Sequence, residues 1–381
     1  CIGSGPETMS GAWPVRVTSA LLRLPRWRTT LSERGVLALE GRDAKKLVHG
    51  LSTAHILELA PSDGATYTGF LNAQGRILCD GFLLAPEEER VLIDVEAATL
   101  PLLEQHLRRF KLRSKVNIAD RSAELAVLSS AGRDVVERPL SGTGRKAGRS
   151  DSGVEESSAV RAGFVDPRLA LLGRRAVVPR DQLSALAAQG TEAVPSALYN
   201  LTLALLGVPN GHAHTPSGES LPLESNLDLL HGVAFDKGCY LGQELTARTH
   251  FRGVVRKRLV PVVREDIAAR ARESPTHETA DAFSHLPDAE ARIARALPRS
   301  DEGDLLLGDP TLVDEADASL TDSSGKSAGK LRCFDELSGV GMALCRLDAL
   351  GASPLRTESG RSFIPVRPSW WPTEIGASGN S

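Results

Sequence analysis

A chain of 381 residues exceeds the roughly 150 of an average domain, and its 41% apolar content can fill more than one core. The formal net charge of −3 provides no global basic field for nucleic acid, and no apolar run reaches the length of a membrane-spanning helix. Five scattered cysteines without a C-x-x-C pair exclude a disulfide framework and a closed zinc site. Between Thr8 and Ser32 the chain carries Arg16, Arg23, Arg26 and Arg28 among serines and threonines, with no acidic residue. Residues 1–32 therefore read as a mitochondrial or plastid targeting peptide or a disordered tail.

Residues 33–137 read as a first α+β unit. Val36–Glu40 predicts a strand, and Asp43 is placed to cap a helix whose apolar face is Ala44, Leu47, Val48 and Leu51. Thr66–Leu71 and Arg76–Leu84 flank Asn72-Ala73-Gln74-Gly75, which predicts a β-hairpin. A strand at Val91–Val95, a helix facing inward through Leu100, Leu103, Leu107 and Phe110, and strands at Val116–Ala119 and Leu125–Leu128 follow. Residues 138–158 are rich in Gly, Ser and charge and predict a disordered insertion. Residues 159–252 repeat the α+β alternation. Residues 253–372 read as a small β-barrel interrupted at 265–330 by an acidic, disordered insertion with one short helix between Ile293 and Leu307, and 373–381 as a tail.

The most distinctive stretch runs from Leu221 to Leu259. Asp236-Lys237-Gly238 predicts a turn in which Gly238 allows positive φ or the close approach of a ligand, placing Cys239 on a loop. Gly242-Gln243 then opens a helix in which Glu244 and Arg248 stand one turn apart as an ion pair. A cysteine near a helix start with Lys237 two residues away has two reasons for thiolate character. The alternative is a small buried hydrophobe, the usual fate of a free cysteine. His212, His214, His231 and His250 lie near in sequence but without ligand spacing, so no intrinsic metal is predicted. Arg108, Arg109, Lys111, Arg113 and Lys115 complement a helix C-terminus or offer a docking surface for an acidic partner.

Lys237-Gly238-Cys239-Tyr240-Leu241-Gly242-Gln243-Glu244, followed by Arg248, resembles the signature of the YgfZ/GcvT-like folate-binding family. That family is related to the aminomethyltransferase of the glycine cleavage system. Leu221–Leu227 and Gly253–Leu259 match as flanks, and Leu245–His250 resembles the mitochondrial branch of iron–sulfur cluster assembly factors. Weaker matches lie at Glu40–Ala44, Asn72–Leu84, Asp166–Arg168, Gly173–Arg175 and Pro368–Pro372. The resemblance implies an α+β fold of ferredoxin-like units around a central folate-type cavity, with a C-terminal β-barrel. It implies a matrix protein, not a conventional enzyme, that works with A-type iron–sulfur scaffold proteins and a ferredoxin to supply four-iron clusters. Cys239 would contact a cluster transiently, and tetrahydrofolate would bind near Asp80, Glu224 and Asn226. Two departures stand out. Cys79 replaces the first of an aspartate pair whose second member matches Asp80, which disfavours a folate-dependent one-carbon transferase with Asp80 as acid or base. Leu203 and Asn210 stand where relatives carry an arginine and a glutamate. A redox role pairing Cys239 with Cys79 is a third reading.

Overall fold

The structure, a computed structural model, describes residues 15–17, 26–60, 64–132, 162–187, 193–273, 286–308, 317–350 and 353–375. The first part holds β1 (Val15–Val17), β2 (Arg26–Thr30), β3 (Arg34–Glu40), α1 (Ala44–Leu51) and β4 (Ala65–Leu71). It continues through β5 (Ile77–Glu87), β6 (Arg90–Glu96), α2 (Leu100–Lys111), β7 (Asn117–Asp120) and β8 (Leu125–Gly132). Next come β9 (Ala162–Val165), β10 (Arg174–Pro179), α3 (Leu183–Ala187), α4 (Ser196–Leu206) and α5 (Gln243–Arg252). The last part is β11 (Lys257–Arg264), α6 (Glu265–Glu273), α7 (Asp288–Ala296), β12 (Leu305–Leu307), β13 (Ser319–Thr321), β14 (Ser327–Asp335), β15 (Val340–Arg346), β16 (Leu355–Arg356) and β17 (Ser362–Pro365).

These strands form a five-stranded sheet in the order β4-β5-β6-β3-β7 and a four-stranded sheet in the order β2-β8-β10-β9. A closed barrel runs β11-β15-β14-β13-β16-β17, and β1 pairs with β12. The mixed α+β class and the C-terminal barrel agree with the sequence reading. In the five-stranded sheet the side-chain period of two separates two cores. Leu37, Phe70, Cys79 and Leu83 pack with α1 and α2, while Tyr67, Phe82 and Leu84 turn to the other face.

Two expectations of disorder give way. Arg26–Thr30 is a strand paired with β8 from Arg26↔Gly132 to Thr30↔Leu128, so residues 1–32 are not uniformly a leader or tail. Within 265–330, α6 buries Ile267, Ala268 and Ala271, and α7 buries Ala291, Ile293, Ala294 and Ala296. The acidic count masked an apolar stripe at helical spacing. Leu305–Leu307 is a strand, not part of a helix, registered as Val15↔Leu307. Residues 138–158 lie outside the described residues. Asp43 makes no cap bond to α1; its Oδ2 accepts from the Lys115 amide at 2.7 Å and holds the α2–β7 connection instead. At the far end, Trp370 Nε1 donates to the Leu206 carbonyl at 2.6 Å, and the Ser369 amide and hydroxyl donate to the buried Glu290 at 3.0 and 2.8 Å. The Pro368–Pro372 segment thereby ties the barrel to α4 and α7.

Candidate functional site

Residues 237–243 form a loop clamped onto the first α+β unit at both ends. Lys237 Nζ donates to the carbonyls of His49, Ser52 and Ala54 at 2.7, 2.6 and 2.8 Å. Those are carbonyls at and just past the end of α1, where a cation satisfies both hydrogen bonding and the negative end of the helix dipole. The same ammonium lies 4.9 Å from the Tyr240 ring centroid, and the Leu241 amide donates to the Gly50 carbonyl at 3.0 Å. Burial pulls the Lys237 pKa down to about 8 and pushes the Tyr240 hydroxyl up to about 12.

The other end is fixed by backbone shape. Gly242 adopts φ +79°, and a Cβ there would lie 2.3 Å from the Asn72 carbonyl oxygen. Its partner in the β4–β5 turn, Gly75, has φ +77°, and its Cβ would lie 2.8 Å from the Gly242 carbonyl oxygen. Two glycines are needed because two backbones touch there. The Gln243 side chain accepts from the Tyr240 amide at 3.1 Å and closes the turn into α5.

Between the clamps, Cys239 is exposed; Cys79, Cys333 and Cys345 are buried. Burial pushes the Cys333 and Cys345 thiols up to about 12 and raises Cys79 as well. Cys79 sits in the core beneath α1 and α2, so it is not a surface partner for Cys239. Two local expectations change. Gly238 does not take positive φ, and a Cβ there would meet only His49 Nε2 at 4.0 Å; the left-handed residue is Gly242. Glu244 and Arg248 are both exposed and form no ion pair with each other, so they do not fix the loop.

Asp80, Glu224 and Asn226 do not share a pocket. Asp80 is 2% exposed and accepts from the Tyr67 hydroxyl at 2.9 Å; burial raises its pKa. The space beside it is filled by arginines, with Arg168 and Arg175 guanidinium carbons 4.8 and 4.3 Å from the Phe82 ring centroid. Arg175 donates to Asp94 at 2.6 Å and to the Tyr199 hydroxyl at 2.7 Å. Arg168 donates to Asp166 and to Tyr199, both at 2.8 Å, and Arg34 donates to Asp94 at 2.6 Å. Arg168 also reaches the Pro209 carbonyl at 3.3 Å, so a cation meets this turn although Leu203 is apolar and buried. In the sequence Asp166–Arg168 and Gly173–Arg175 stand out only as weak family matches, and Arg34 and Asp94 do not stand out, although Asp94 is a lone charge inside the apolar run of β6.

Glu224 lines a separate cavity of about 250 Å³ with Leu221–Leu223, Leu245, Thr246, Thr249 and Val254–Lys257. Burial raises its pKa against the pull of Lys257, Arg332 and Arg76. Asn226 is fully buried at φ +63°, and its amide donates to the Leu259 carbonyl at 2.7 Å. That is a strut between the 221–227 segment and β11. A cavity this size falls below the roughly 300–1,000 Å³ of small-molecule sites, and the sealed Asp80 is out of a pterin's reach. Asp80, Glu224 and Asn226 do not converge on one site, and no chemistry is assigned through a folate.

The histidines are dispersed. His212 Nδ1 lies 2.9 Å from Glu96, the buried His214 Nδ1 accepts from the Asn210 amide at 2.9 Å, and His250 stacks on Phe235 at 3.5 Å. Among the described residues no three His, Cys, Asp or Glu side chains converge as metal ligands. No helix among them is long and apolar enough to cross a membrane.

Residues 256–373 match the model of the CAF17 C-terminal beta-barrel domain. The solved aminomethyltransferase T of the glycine cleavage system from Bartonella henselae superposes with a TM-score of 0.59 at 14% identity, over 91% of this chain and 86% of that one. That likeness speaks for the fold alone. The mitochondrial iron–sulfur cluster assembly factor IBA57 homolog of Neurospora crassa is 34% identical over 343 residues, covering 88% of this chain and 73% of that protein. Its counterpart in Mycosarcoma maydis is 34% identical over 371 residues, covering 89% and 83%. With the signature loop intact and the alignment spanning both the α+β units and the barrel, the chain belongs to the IBA57 family of mitochondrial iron–sulfur cluster assembly factors.

Proposed function

We propose that this chain acts in the mitochondrial matrix as an assembly factor, presenting Cys239 as a single ligand to an iron–sulfur cluster held mainly by an A-type scaffold protein. A ferredoxin would supply electrons for conversion to four-iron clusters. One observation carries the reading: among the described residues, the exposed cysteine sits on a loop clamped at both ends by backbone contacts. A thiolate is a soft ligand suited to iron in such clusters. Binding releases the thiol proton and donates a sulfur lone pair to iron, with no change of oxidation state. The single thiol makes Cys239 a shared ligand, since a lone protein ligand does not hold a cluster.

The competing one-carbon transferase would need Asp80 accessible to substrate, and Asp80 is sealed behind Tyr67 and the arginines. The test is cluster delivery from a loaded A-type scaffold to a four-iron client. Cys239→Ala is expected to abolish delivery while keeping the wild-type melting temperature, and Asp80→Asn, if folded, to retain delivery. Undiminished delivery by Cys239→Ala would overturn the reading.

A further inference from the structure

Helix α1 has a cationic end and a thiol end. At its C-terminus the carbonyls of His49 and Gly50 hold the Cys239 loop through Lys237 and Leu241. At its N-terminus stand exposed Arg42 and Lys46, and the Asp43–Lys115 bond brings the turn after α2 against them. The last turn of α2 and that connection together carry Arg109, Lys111, Arg113 and Lys115. Among the described residues none of these six cations is in an ion pair. Of the acids nearby, Glu104 is engaged by Arg108, Glu88 by Lys45, and Asp43 by the Lys115 amide, whereas Glu89, whose carbonyl accepts from the Gly41 amide at 2.8 Å, is an exposed counter-charge outnumbered six to one. On the solvent side of α1, Lys46 lies three and four residues before His49 and Gly50, so one face runs from the basic end toward the thiol loop. Beside Cys239 itself the exposed acids are Asp236 and Glu244.

In the middle of the basic turn is Leu112, 85% exposed, with φ 46° and ψ −115°. A leucine at positive φ is strained, and here the strain places its side chain in water, a feature that recurs where a partner supplies the missing contact. Eight residues of helix span about 12 Å, whereas a standard protein interface covers about 800 Å² per partner, a patch roughly 30 Å across. An interface of that size centred on Cys239 is wide enough to reach the basic end of α1. Six unpaired cations under a partner are tolerated only if its facing surface is acidic.

We propose that the protein carrying the cluster to Cys239 docks through an acidic surface on the Arg42–Lys46 end of α1 and the 109–115 segment at the end of α2, with Leu112 as an apolar anchor. This rests on the assembly-factor reading and adds the chemistry of the partner face. The chain's overall negative charge makes the cationic end a steering feature: it accelerates encounter in a salt-dependent way and orients the partner along α1 toward the thiol.

The probe is a purified A-type scaffold protein carrying a two-iron cluster, with association and dissociation rates measured at low and physiological salt. The triple variant Lys46→Glu/Arg109→Glu/Arg113→Glu is expected to slow association about tenfold at low salt, with a flattened salt dependence. The barrel control Lys326→Glu/Lys330→Glu/Arg356→Glu carries the same change in net charge and should alter the rate less than about twofold. Equal losses in the two triples, or an unchanged rate in the first, overturn the proposal. So does a wild-type protein that co-sediments with phosphatidylglycerol vesicles through Lys46 while its scaffold association ignores the patch, because the surface then belongs to a membrane. Cys239→Ala separates the two readings: it should associate at the wild-type rate yet deliver nothing. Delivery by that variant sinks the assembly role of the thiol, and the association rates still decide the patch on their own. Absence of any association between the wild-type chain and the loaded scaffold overturns both.

Discussion

Around Phe82, Arg34, Asp94, Asp166, Arg168 and Arg175 are all 4% exposed or less, and each guanidinium has a carboxylate partner within 3 Å. In the 237–243 loop one cation is half-buried, its partners are carbonyls, and position is set by two touching glycines. The first region uses charge to fill and order an interior that the fold could otherwise leave as a ligand cavity. The second uses backbone to hold a side chain outward. Aspartate and arginine, usually sought as catalytic groups, are here the interior scaffold, and the residue proposed to act is an exposed cysteine on a loop.

The comparison breaks most directly at Arg175. Replacing it with Met leaves Asp94 with Arg34 alone and Tyr199 short of a donor. Removing one member of a buried pair costs about 3–5 kcal/mol, because the remaining charge stays desolvated. Arg175→Met should therefore lower the melting temperature on the order of 10 °C. A loss below about 1 kcal/mol would mean that the cluster fills space without ordering the core.

A buried polar group without a counter-charge should behave differently. His214 is 8% exposed and accepts one amide hydrogen bond from Asn210; burial, then the neighbouring His212, lowers its pKa to about 4. Because the unfolded histidine binds its proton near pH 6.5, the unfolded state holds more protons between about 6.5 and 4, so stability falls as pH drops through that window. Near pH 5 the loss is about 2 kcal/mol relative to pH 7, and His214→Gln should remove that part of the slope in urea unfolding. Asp94, whose pKa the two arginines lower, keeps its contribution through the same window and loses it only in stronger acid. An identical pH slope in the wild type and His214→Gln would contradict the buried neutral imidazole.

Strands with clear alternation and helices with a full apolar stripe were readable: α1 buries the predicted Ala44, Leu47, Val48 and Leu51. The family-like loop was readable as a string, but its physics was not. Lys237 stands two positions from Cys239 in the sequence, whereas its long side chain spends its donors on carbonyls at the end of α1, far off in sequence. The central arginines were illegible for the same reason: Arg175 meets an aspartate eighty-one positions away. Local pattern reports which face is apolar and not which distant carboxylate arrives opposite a charge. In 265–330, composition outweighed periodicity: α6 stands inside the expected insertion, and the one short helix expected there, between Ile293 and Leu307, lies earlier as α7 and ends at Ala296.

The loop half of the comparison is sharpened by its glycines. Both Gly238 and Gly242 belong to the signature string, yet the backbone asks different things of them. At Gly242 an alanine would be held at φ +79° with its Cβ 2.3 Å from the Asn72 carbonyl oxygen and 3.0 Å from the Leu71 Cβ. Neither neighbour is the end of a flexible side chain, so the loop must lift from the β4–β5 turn, at a cost of about 1–2 kcal/mol. At Gly238 the added methyl meets only His49 Nε2 at 4.0 Å, an ordinary contact. Gly242→Ala should thus lose both stability and cluster delivery, while Gly238→Ala should melt within about 0.5 kcal/mol of wild type. Measuring delivery by Gly238→Ala then asks a question stability does not. If it delivers normally, the glycine only turns the chain; if it fails while folding normally, the methyl obstructs what must approach Cys239, and the space beside His49 is part of the surface a partner uses.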